Sequence, residues 1–178
     1  MSQDQDWIVL AYTLPTEPSR KRVAVWRRLR KLGAVYLSEG IWFLPNTKGL
    51  AEAVSQAVGE VEHQGGTASA FFATGLQADQ KDQLRARFNQ ARDDEYLELH
   101  RQCERFLAHV ERETKAGSFD FSAVEELEED LEKRVRWLAQ IRQRDEFGSP
   151  QRKAVELMLD ECQEALARYT EQAYEKTR

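Results

Sequence analysis

Apolar residues come in short bursts over the first 75 positions and in long spaced stripes after them. Trp7-Ile-Val-Leu-Ala-Tyr-Thr-Leu14 is a near-continuous apolar and β-branched run stopped by Pro15, the pattern of a strand buried in the middle of a sheet. Pro15-Thr-Glu-Pro18 is a stiff connector. Ser19 is placed to cap a helix predicted over residues 20–32, and Gly33 to end it in a left-handed conformation. Two short strands are expected at 34–37 and 41–44, joined by Ser38-Glu39-Gly40 with a glycine available for positive φ. Pro45-Asn46-Thr47 then stops the strand and caps a helix over 48–63, where Leu50, Val54, Ala57, Val58 and Val61 recur at the helical period. Gly65-Gly66 ends that helix, and 67–74 supplies a last strand. The order βαββαβ predicts an α+β, ferredoxin-like domain over residues 1–76.

From Ala78 to Lys115 there is neither proline nor glycine, which predicts one long helix. Gly117-Ser118-Phe119-Asp120 breaks it, and a second helix follows over 122–146 with Ser122 or Asp120 as its cap. After Phe147-Gly148-Ser149-Pro150, a third helix is expected over 151–175, with Pro150 in its first turn. Each carries an apolar stripe: Leu84, Phe88, Tyr96, Leu99, Cys103, Phe106, Leu107 and Val110 in the first; Val124, Leu127, Leu131, Val135, Leu138 and Ile141 in the second; Val155, Leu157, Leu159, Cys162, Leu166, Tyr169 and Tyr174 in the third. Short breaks between such helices predict an antiparallel three-helix extension forming a helical domain over 78–178.

Charge sharpens this division. Residues 1–77 carry a net +1 and residues 78–178 a net −6. Within the first half, residues 20–31 hold seven basic side chains and no acidic one. A helical wheel sets Val25, Leu29 and Leu32 on one side, flanked by Trp26, with Arg20, Arg27 and Lys31 opposite and Arg28 and Arg30 between. Arginine's planar fork suits phosphate and other oxyanions. Arg20, Lys21, Arg22, Arg27, Arg28 and Lys31 are therefore the candidate nucleic-acid or anion-binding residues. Two readings stay open: contact with DNA phosphates or another oxyanion, or pairing with the acidic helices of the second half, where 125–130 is nearly all acidic.

Other chemistry finds little support. No stretch reaches the roughly 18 apolar residues of a membrane helix, and the polar acidic start lacks the form of a signal peptide, so a cytoplasmic location is expected. Cys103 and Cys162 are far apart with no CxxC or Cys/His pairing, and both are expected as small buried side chains. Asp93-Asp94-Glu95 and the 125–130 carboxylates lack a Glu-x-x-His partner and are expected on solvated faces or in interhelix salt bridges. The histidines at 63, 100 and 109 have no neighbouring nucleophile, and no phosphate-cradling glycine loop occurs. No catalysis, cofactor or metal is expected. Trp7, Tyr12, Tyr36, Trp42 and Phe43 have the spacing of core or dimer-interface residues, with Trp42 near a pairing edge.

Trp7-Ile-Val-Leu-Ala-Tyr, the segment Leu14-Pro-Thr-Glu-Pro-Ser-Arg-Lys-Arg-Val-Ala-Val-Trp-Arg-Arg-Leu-Arg-Lys-Leu-Gly33, and Gly40-Ile-Trp-Phe-Leu-Pro45 together resemble the N-terminal region of the chromate-resistance regulator ChrB. Arg92-Asp-Asp-Glu-Tyr96, Glu128-Glu-Asp-Leu-Glu-Lys-Arg-Val-Arg-Trp-Leu138 and Arg144-Asp-Glu-Phe-Gly148 are similar to the same family. The resemblance implies a transcriptional regulator that responds to chromate and controls efflux genes. It also implies kinship of the ferredoxin-like part with the dimerising middle domain of PaaX-type repressors. Full-length members carry a further C-terminal domain, and a stand-alone form lacking it is expected. The expected partners are DNA or a partner protein through the basic helix, and a second copy of the chain, with no membrane.

Overall fold

A computed structural model describes residues 6–47 and 49–177. Four strands and five helices follow one another as β1 (Trp7–Thr13), α1 (Ser19–Leu32), β2 (Val35–Ser38), β3 (Ile41–Pro45), α2 (Leu50–His63), β4 (Thr67–Ala73), α3 (Ala78–Ala116), α4 (Phe121–Arg144) and α5 (Arg152–Thr177). The fold is α+β: a ferredoxin-like unit followed by long helices. It divides into two compact units, with the division between residues 88 and 89, inside α3.

In the first unit the strands form an antiparallel sheet in the order β2-β3-β1-β4. β1 pairs on both sides, Leu10 lying between Trp42 of β3 and Ala70 of β4. That central place suits its unbroken apolar run: Ile8 and Leu10 are buried beneath the helices, and on the reverse face Trp7 is buried while Val9 and Ala11 are half-buried. Ile8, Leu10, Trp42 and Leu44 point to the face covered by Val25 and Leu29 of α1 and by Val54, Ala57 and Val61 of α2. On the reverse face Trp7 meets Phe43 edge-on, ring centroids 5.4 Å apart, and Phe88 of α3 at 6.2 Å. Trp42 is buried on the inner strand β3 rather than near an edge, while Tyr36 of the outer strand β2 is half-exposed. Gly40 turns the β2–β3 hairpin at φ +70°, and a Cβ there would meet the Tyr12 carbonyl oxygen at 2.4 Å, so the turn requires glycine.

Helix starts differ from the predicted caps. Ser19 is the first residue of α1, and Pro18 occupies the cap position without a side-chain bond. α2 starts at Leu50 behind Gly49, whose left-handed backbone takes the cap position in place of Thr47; Lys48, predicted as its first residue, lies outside the described residues. Gly33 does end α1 at φ 83°, its N–H donating to the Arg30 and Leu29 carbonyls. Asp120 caps α4, accepting the Ala123 N–H at 2.7 Å.

The second unit is built around one core, with Tyr96, Leu99, Cys103 and Phe106 from α3, Leu127, Leu131 and Ile141 from α4, and Val155, Leu159, Cys162 and Tyr169 from α5. Both cysteines are free and fully buried, and the Cys162 thiol points to the Cys103 carbonyl at 3.6 Å. Val135, Leu157 and Tyr174 lie off the buried stripes, exposed. Arg134 takes the place beside Val135: it is buried, stacks on Phe106, and donates to the Gln102 and Asp130 carbonyls. Its aliphatic stem fills the core position while the guanidinium finds backbone oxygens.

Candidate functional site

The sequence-predicted site is the outer face of α1. Val25 and Leu29 bury one side of the helix, and that stripe fixes which side chains face water. Arg20, Arg22, Arg27 and Lys31 are exposed, with no ion-pair or hydrogen-bond partner among the described residues. Arg30 lies over the half-exposed Trp26 ring, its guanidinium carbon 5.6 Å from the centroid. The other two candidates are engaged within the unit. Arg28 pairs with Glu60 at 3.0 Å and donates to Gln56 Oε1 at 3.1 Å, both on α2, and Lys21 Nζ donates to the Gln64 carbonyl at 2.8 Å. The structure thus brings four free cations onto one helix and commits two to packing α1 against α2.

The start of α1 is electrostatically unusual. Its first turn has no acidic residue, no side-chain cap bond, and three cations at positions 20–22. Positive charge at a helix N-terminus opposes the helix dipole, and the first N–H groups there have no intrahelical acceptor. An anion near that turn satisfies both.

A second constellation lies in the second unit, where two sequence segments far apart come together. Glu95 accepts from Arg92 at 3.1 Å and from Arg144 at 2.6 Å, with all three side chains nearly buried. One residue on, Tyr96 donates its hydroxyl to Asp145 at 3.1 Å. Ser149 donates its hydroxyl to Asp93, its N–H is accepted by Asp145 at 2.9 Å, and its oxygen in turn accepts the Gln151 N–H at 3.1 Å. Burial and the Asp145 carboxylate push the Tyr96 phenol well above its usual range. In the sequence the 93–95 carboxylates read as surface groups or interhelix salt bridges. Glu95 is the latter, and its two-arginine arrangement had no sequence signal beyond the two charged segments themselves.

Residues 22–178 match the family described as Protein ChrB, N-terminal. The chain belongs to this family. The Protein ChrB of Cupriavidus metallidurans is 30% identical over 97 residues, a match that covers 54% of this chain and 29% of that relative's length. The chain therefore spans well under half of that ChrB protein. No solved structure matches. Both the basic helix from Arg22 on and the Arg92–Glu95–Arg144 cluster lie inside the ChrB N-terminal match. Among the described residues, no helix is long and apolar enough to cross a membrane, and no three His, Cys, Asp or Glu side chains gather as metal ligands.

Proposed function

We propose that the chain is a regulatory module of the chromate-resistance regulator type that contacts DNA phosphates through the outer face of α1, acts as a homodimer in the cytoplasm, and catalyses nothing. The observation that carries this reading is the set of unpaired, exposed cations Arg20, Arg22, Arg27 and Lys31 on a helix without a single acidic residue. In a chain of net charge −5 such a segment is a localised anion site rather than a general property of the surface. The uncapped, cationic first turn adds to it, since phosphate would remove the repulsion there. Contacts of this kind position a protein on DNA without reading sequence. Among the described residues the elements are those of the ferredoxin-like unit and the long helices, with no separate domain for base readout.

A second reading is a structural or interaction protein that binds no nucleic acid, the helix being neutralised internally. It is favoured by Lys21 and Arg28, which are already taken up by Gln64 and by Glu60 and Gln56.

A mobility-shift titration with the chain's own promoter region at two salt concentrations separates the readings. The first expects binding that weakens with salt. It further expects that Arg20→Ala, Arg27→Ala and Lys31→Ala together weaken binding to every sequence. The dependence of log affinity on log salt should become shallower by about one unit per lost contact. The thermal midpoint should hardly move, because the buried side of α1 is untouched. Wild-type protein that fails to bind at low salt would show the DNA reading to be wrong.

A further inference from the structure

The two outer strands of the sheet differ. Along β2, Arg87 covers the open side, its guanidinium donating to the Tyr36 carbonyl at 3.0 Å and the Leu37 carbonyl at 3.5 Å, and the pairing with β3 is irregular between Tyr36 and Ser38. A covering cation and an irregular register are the usual ways an edge is made unavailable. β4 has neither. It pairs with β1 over all seven of its residues and, among the described residues, with no strand on its other side, and residues 64–78 contain no charged side chain at all. Phe71 and Phe72 are 58% and 53% exposed on that strand, and Leu76 just beyond it is 96% exposed. A bare, regular, apolar edge with no lysine, proline or bulge pairs with another strand.

From this edge we infer that β4 is the surface on which a second copy of the chain docks, the two sheets joining edge to edge across a two-fold axis at Ala70. This deepens the homodimer part of the proposed function and rests on it. The register follows from geometry. If the helices of both copies are to cover the same face, a residue must lie opposite its own counterpart, because opposed residues in an antiparallel pair share a face. Ala70 is the midpoint of Thr67–Ala73, so centring there pairs the whole strand. Phe71 then lies opposite Ser69 of the second copy and Phe72 opposite its Ala68, large against small on both faces. On the helix-covered face, a groove of about 310 Å³ between β4 and α2 is lined by Ile8, Ala51, Ser55, Val58, Ala70 and Phe72, with no charge among them. The α2 flank of the second copy meets that groove with the same small and apolar side chains. An isologous contact requires such self-complementarity.

The test is light scattering at tens of micromolar on the intact chain. Wild type should give about twice the chain mass of 20.7 kDa. Phe71→Lys, at an exposed position, should halve it with the far-ultraviolet circular dichroism unchanged, while Tyr36→Lys on β2 should leave the dimer intact. Ala70→Cys should form a disulfide-linked dimer on mild oxidation, since Cys103 and Cys162 are fully buried and do not compete. Monomeric wild type would overturn the homodimer and the edge together. A wild-type dimer that Phe71→Lys leaves whole, and that Ala70→Cys does not cross-link, would overturn the edge alone.

Discussion

Glu95 is the residue on which most buried charge converges. It is 13% exposed, and its carboxylate takes one bond from Arg92, itself 3% exposed, and a 2.6 Å bond from Arg144. Removing one member of a buried ion pair leaves its partners' charge without a counterion, which costs far more than any surface pair. Glu95→Ala is therefore expected to destabilise the chain by about 3–5 kcal/mol. A denaturant titration would read this as a large fall in midpoint, with Glu95→Gln falling less. A midpoint within experimental scatter of wild type would mean that water reaches the cluster and the charges are not buried. The sequence could not single out Glu95 from Asp93 and Asp94. Which of three adjacent carboxylates meets Arg144 depends on how α4, which ends at that residue, packs along α3.

Elements were legible where local chemistry decides them and misread where it does not. The apolar run of β1, the period of α2 and the glycine ending α1 gave the order of elements and the sheet, because a central place in the sheet and positive φ leave a direct mark on residue type. Caps were less legible: Ser19 and Thr47 have the right chemistry, but the chain enters α1 one residue earlier, behind Pro18, and α2 two residues later, behind Gly49. Val135, Leu157 and Tyr174 satisfy the helical period yet face outward, since a helix with a narrow contact buries fewer positions than its apolar residues allow. The turn between α4 and α5 is fixed from outside, by Tyr96 of α3 through Asp145. The Tyr96 phenol is held well above its usual 10.0 by burial first and by the Asp145 charge next. The fold therefore retains a proton that the unfolded chain gives up near pH 10, so this contribution to stability is complete below pH 10 and is lost as pH rises beyond it. The denaturation midpoint should fall from pH 10 upward. Tyr96→Phe should make that fall shallower, without abolishing it because Tyr12 and Tyr169 are raised too, and should cost about 1 kcal/mol at neutral pH for the lost bond. A wild-type midpoint level to pH 11 would remove this role from the phenol.

For the molecule as a whole, the shift from short apolar bursts to long stripes near residue 75 marked two kinds of architecture, and two cores do form, one under the sheet and one among the helices. The basic helix was legible as a face, because a wheel needs only the helical period. That two of its cations are spent on α2 was not, because Glu60 and Gln64 become neighbours only once β3 and β4 have placed their helix. The covering of β2 by Arg87 was likewise invisible, since residues 36 and 87 share no pattern. Its consequence concerns how assembly ends. A sheet with two usable edges adds copies without limit and grows a filament, whereas one with a single usable edge is saturated by one neighbour. With copies joined at β4 as proposed, Arg87 would act as a terminator that caps growth at a pair. Arg87→Ala should leave the isolated fold in place yet let scattered intensity climb with concentration past the two-chain value, and a variant that stays at two chains up to hundreds of micromolar would show that β2 is closed by its own irregular register instead.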